Sequence, residues 1–130
     1  MKKIIIIAFA TLLSSCSSMS TLEDIENNKP SEIEVVNKDI STVFNDIARN
    51  AKFCFANNSA TNYTVHSNLN GNSGEIIVMT GAELVSANIW LVARLEKQGN
   101  NTKIKYTAGN SIWKRWVNKM RRWAIGKSGC

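Results

Sequence analysis

The stretch between Tyr63 and Thr107 limits the fold most. Tyr63 and Val65 alternate with polar residues, and Glu75–Thr80 (EIIVMT) is a short β-branched run. Asn88–Lys97 (NIWLVARLEK) is longer, and Thr102–Thr107 (TKIKYT) alternates cleanly. A period of two is the signature of a strand with one face in a core. Turn residues separate these runs: NLNGNSG over Asn68–Gly74, Gly81, and QGNN over Gln98–Asn101. Glycine and asparagine supply the backbone angles that tight hairpins need. The pattern predicts a four-stranded antiparallel meander. A helical reading of Glu83–Glu96 stays open, because short apolar runs do not distinguish the two periods.

Helical patterns flank the meander. Ile40, Val43, Phe44, Ile47 and Ala51 recur at helical spacing, and Asp39 stands where an N-cap belongs, which predicts a helix over about Asp39–Phe53. Near the C-terminus, Ile112, Trp113, Trp116, Val117, Met120, Trp123 and Ala124 share one helical arc. Lys114, Arg115, Asn118, Lys119, Arg121 and Arg122 take the rest. Asn110 or Ser111 fits the N-cap and Gly126 the position after the C-cap. The expected fold is α+β: an N-terminal helix, the meander, and a C-terminal amphipathic helix, with both helices on one sheet face.

The first 20 residues read MKKIIIIAFATLLSSCSSMS. Lys2 and Lys3 precede an apolar run, Ile4–Leu13, that is shorter than the roughly 20 residues a membrane span requires. A basic start, a short apolar run and small residues fit a signal peptide. Leu13-Ser14-Ser15-Cys16 resembles the lipobox of bacterial lipoproteins, with an aliphatic residue, two small ones and a cysteine. The resemblance covers the leader alone. It implies cleavage of residues 1–15, lipid (palmitate among it) on Cys16, and attachment to the cell envelope. With Ser17 and Ser18 following, it implies sorting to the outer membrane, facing the periplasm. Residues 16–35 are polar and contain the lone proline, Pro30, so they read as a lipidated N-terminus and flexible tether. Residues 36–130 read as one small domain.

With Cys16 lipidated, Cys54 and Cys130 remain, in a compartment where disulfides persist. The simplest expectation is one bridge between them, stapling the two helices; the rival is an intermolecular bridge through Cys130.

The formal charge is +6, or +4 once Lys2 and Lys3 are removed. Its distribution is uneven. Thr21–Asp46 holds seven acids and two bases, whereas Arg94–Cys130 holds ten bases and a single acid, Glu96. Such a gradient suggests an anionic partner. In an envelope protein that partner is anionic lipid, lipopolysaccharide or an acidic protein, not nucleic acid. Lys114, Arg115, Lys119, Arg121 and Arg122 are the candidate anionic-surface residues. Trp90, Val92 and Arg94 would share one face of their strand and form a second candidate partner face, since Trp and Arg are enriched at binding hot spots.

Signals for catalysis are weak. His66 is the lone histidine, no HExxH, paired-cysteine or phosphate-loop motif occurs, and no serine lies in GxSxG. The sequence therefore predicts no metal, no cofactor and no enzyme. It predicts an envelope interaction or scaffolding module. The alternative is a periplasmic ligand-binding or inhibitor module using the Trp90 face. Oligomeric state is not readable from the sequence.

Overall fold

The computed structural model describes residues 21–56, 62–81 and 87–130. The leader and Cys16 lie outside them. The chain is α+β, and its described residues form a five-stranded antiparallel sheet and three α-helices. In order come α1 (Leu22–Asn28), β1 (Ser31–Val36), α2 (Ile40–Ala51), β2 (Tyr63–Asn70), β3 (Ser73–Thr80), β4 (Asn88–Gln98), β5 (Asn101–Ala108) and α3 (Lys114–Ala124). A π-helical turn, Lys52–Ala56, extends α2. The strand order is β1-β5-β4-β3-β2, so α2 links strands at opposite edges of the sheet.

The meander β2–β5 accounts for four strands; the fifth is β1. It comes from the segment that reads as tether, and α1 precedes it. Among the described residues, secondary structure thus already occurs within the segment that reads as tether, from Leu22 onward. The physical reason is an inverted pattern. Ile33 and Val35 are more than half exposed, at 57% and 55%, while Glu34 reaches the buried Tyr106. A strand with its apolar residues outward does not look like a strand with a core.

Local chemistry explains the elements. The Asp39 carboxylate accepts from the Thr42 backbone N–H at 3.0 Å and from the Thr42 hydroxyl at 2.6 Å, capping α2. These bonds hold the Asp39 carboxyl below its usual range. Both tight hairpins turn on Gly-Asn: Gly71 has φ +60° and Gly99 φ +61°, a sign only glycine adopts freely.

The sheet divides two cores. On the inner face, Ile76, Val78, Leu91, Ala93, Leu95, Ile104 and Tyr106 pack with Val43 and Ile47 of α2 and Val117, Met120 and Trp123 of α3. On the outer face, Ile77, Met79, Ile89 and Val92 pack under Ile25, with Leu22 at the margin. The Cys54–Cys130 disulfide ties the end of the α2 extension to the C-terminus, within one chain, so the intramolecular pairing holds.

Candidate anionic-surface interface

α3 is built so that its apolar arc is fixed. Asn110 Oδ1 accepts from the Trp113 N–H at 3.1 Å, which orders the turn leading into the helix. At the other end, Gly126 N–H reaches the Trp123 carbonyl (2.9 Å) and Lys127 N–H the Arg122 carbonyl (3.0 Å). This paired closure uses the positive φ of Gly126. Trp113 and Trp123 are buried, and the Trp123 indole donates to the Gly129 carbonyl at 2.9 Å. Trp116 is partly buried beside Phe55, their centroids 4.6 Å apart. The three tryptophans of this segment are core.

The opposite arc carries the charge. Lys114, Arg115 and Arg122 are exposed, and Lys119 lies half-exposed with its ammonium 6.0 Å from the Trp116 ring. None of these four pairs with an acid among the described residues. Arg121 differs. Its guanidinium stands 3.4 Å from Glu32 and 3.7 Å from Glu34 on β1, and 6.0 Å from the Tyr106 ring. It is a structural clamp between α3 and the edge strand, and the open basic surface has four cations. Lys114 and Arg115 also sit in the first turn, where no acid is present. The helix macrodipole disfavours cations there by about 0.3–1 kcal/mol each. Stability alone gives no reason for their position.

Much of the charge gradient closes on itself. Arg94 meets Glu26 of α1 at 2.6 Å and also contacts Glu75. Burial alone would depress the Arg94 guanidinium, but the hydrogen bonds and charges of Glu26 and Glu75 outweigh it and raise its pKa. Glu75 in turn lies 3.2 Å from His66 Nε2. Glu26, Arg94 and Glu75 therefore form an ion network across the outer face, with a hydrogen bond to His66 at its end. Among the described residues no hydroxyl or thiol hydrogen-bonds to His66, and no group of three or more His, Cys, Asp or Glu is placed to hold a metal.

Trp90, Val92 and Arg94 do not share a face. The β3–β4 register shifts between Val78 and Met79, leaving Trp90 as the extra residue between Ile89 and Leu91. This bulge turns Trp90 to the inner side. There it stacks on Trp113, 5.9 Å between centroids, and its indole donates to Thr80 Oγ1 at 3.1 Å. Val92 stays on the outer side, fully covered in the Ile25 core, with Arg94 in the ion network. Simple alternation cannot reveal a bulge, and no residue in NIWLVARLEK signals one. The sequence also gave no sign of the Arg121 clamp, whose partners lie in the inverted strand β1.

No helix among the described residues is long and apolar enough to cross a membrane. No protein-family model matches the chain, and no curated protein matches it in sequence.

Proposed function

We propose that this chain is an envelope lipoprotein, anchored through lipid on Cys16, whose domain is a non-enzymatic interaction module. The basic arc of α3 rests on anionic lipid headgroups, lipopolysaccharide in the outer membrane being one such surface. The observation that carries this reading is the set Lys114, Arg115, Lys119 and Arg122 on one helix face, without an acidic partner among the described residues and with two of them placed against the helix dipole. Polybasic segments gain about 1 kcal/mol per cation near an anionic surface. A lipid anchor adds to this by holding the arc at high local concentration. Exposed Ile125 lies on the same side of the helix, and exposed Ile112 precedes it. The buried tryptophans favour surface contact over insertion, because the disulfide and the indole–Gly129 bond tie the helix to its own core.

The alternative, a ligand module built on Trp90, has less support. Its indole already has a stacking partner and a hydrogen-bond acceptor.

The test is co-sedimentation of residues 16–130, carrying Cys16→Ser, with neutral and anionic liposomes. Binding is expected to anionic vesicles alone and to fall with salt. Reversing all four cations to Glu should weaken it by about 100-fold or more. Equal binding by wild type and variant, or none by either, sinks the proposal.

A further inference from the structure

The edge strand β1 presents an unusual side to solvent. Among the described residues its ladder pairs with β5 alone, with Ser31 opposite Thr107 and Val36 opposite Thr102. The other edge of β1 has no neighbour in the sheet among the described residues. An open edge is a row of unpaired backbone donors and acceptors, which proteins usually guard with lysine, proline or a bulge. β1 reads SEIEVV and contains neither lysine nor proline. Its guard is the pair of inward glutamates, Glu32 and Glu34.

Each face of this edge has a cleft. The outer one, about 480 Å³, touches β1 at Ile33 and runs past Lys105 to Arg94. The inner one, about 570 Å³, touches β1 at Ser31 and Glu32 and is otherwise bounded by Tyr106, Ala108 and Val117, with the exposed Lys29 and Lys114. Glu32 Oε2 is buried there and has no hydrogen-bond partner among the described residues; the Arg121 guanidinium is 3.4 Å away. Arg121 offsets part of the cost of burying that oxygen, and the remainder of the Glu32 carboxylate stays open to a further cation.

We propose that the free edge of β1 takes up an extended segment of a partner protein in which apolar and basic residues alternate. In strand addition, main-chain hydrogen bonds supply affinity and pockets for alternate side chains supply specificity. The incoming apolar side chains lie beside the exposed Ile33 and Val35, and the basic ones lie beside Glu32 and Glu34. The same glutamates disfavour a second copy of this chain. A symmetric antiparallel pairing that places Ile33 against Val35 sets Glu34 against Glu34, and like charges directly opposite destabilise a ladder. They also disfavour wholly apolar strands, which would take the charges of Glu32 and Glu34 further out of water and bring no added donor.

The experiment uses the full chain in nonionic detergent and fluorescein-labelled peptides of about ten residues, one alternating valine and lysine, the other valine and glutamate, read by anisotropy. The valine–lysine peptide should bind at least about tenfold more tightly. N-methylation along one backbone edge of that peptide should cut binding by about tenfold or more, and along the other edge should change it by less than about twofold, because one edge alone joins the ladder. Glu32→Lys should weaken the valine–lysine peptide by about tenfold and strengthen the other. The methylated peptides test the idea without altering the protein. Equal binding of both peptides, binding by neither, equal loss from methylation on either edge, or indifference to Glu32→Lys overturns it. Lys114 borders the inner cleft, but the rest of the basic arc of α3 lies apart from it and would repel the same peptide, so binding there cannot imitate the result.

Discussion

The two faces of the sheet are held in different ways. The inner face lies under two helices of 12 and 11 residues, joined beyond their ends by the Cys54–Cys130 bridge. The outer face is covered by α1, seven residues long, and only over the patch of Ile77, Met79, Ile89 and Val92. Beyond that patch it carries Lys103, Lys105, Arg94 and Glu96, with Ile33 and Val35 exposed at the edge. The inner face is where stability resides. The outer face is where the chain leading to the proposed membrane anchor joins the domain, and so small a cover should detach at lower cost than the rest unfolds.

That difference predicts unequal responses to truncation. Trp123→Ala removes a fully buried indole from the centre of the inner core, along with its bond to Gly129. The loss should be about 3–5 kcal/mol, measured by urea unfolding, and should appear as a global transition. Ile25→Ala strips the central residue of the outer core. Its cost should stop near about 2 kcal/mol, because α1 can undock instead of collapsing onto the cavity. Hydrogen exchange is the sharper readout: amides of α1 should lose protection while those of β3 and β4 keep theirs. If Ile25→Ala lowers protection uniformly, the faces form one cooperative unit and the comparison breaks.

The inner face was the more legible in the sequence. The spacing of Ile40, Val43, Phe44 and Ile47, the Asp39 cap, the apolar arc of α3 and its Gly126 closure all belong to elements with a conventional wet side and dry side. The disulfide followed from cysteine arithmetic and compartment. The outer face was hidden for opposite reasons. α1 buries only Ile25 fully, too little to stand out from a polar segment. β1 puts glutamates inward, where Tyr106 of β5 donates a hydrogen bond to Glu34 and Arg121 of α3 supplies the opposite charge. Those partners lie more than 70 residues away in sequence, so no local window contains them. The candidate basic arc was visible as composition on a helical wheel; that Arg121 leaves it for Glu32 and Glu34 depended on the position of β1.

Tyr106 offers the finest test of the inner face, because it is a titratable group sealed within it at the strand whose other side is open. Burial foremost, and then its 2.6 Å hydrogen bond to the Glu34 carboxylate, raise the phenol's pKa well above the ordinary tyrosine value. A raised folded pKa means the stabilisation is complete below the unfolded value, about 10, and is lost as pH climbs from there toward the folded value. Tyr106→Phe keeps the ring packing and deletes only the hydroxyl. Glu34 retains Arg121 and some contact with water, so the cost at neutral pH should be about 1 kcal/mol. Above pH ~10 the wild type should lose about 1.4 kcal/mol per unit that the variant does not, so the two stability curves should cross near pH ~11. Groups common to the two proteins cancel from the difference. Curves that stay parallel to pH ~11 would show that water reaches the phenol through the open edge of β1, and the inner face would then be no better sealed there than the outer one.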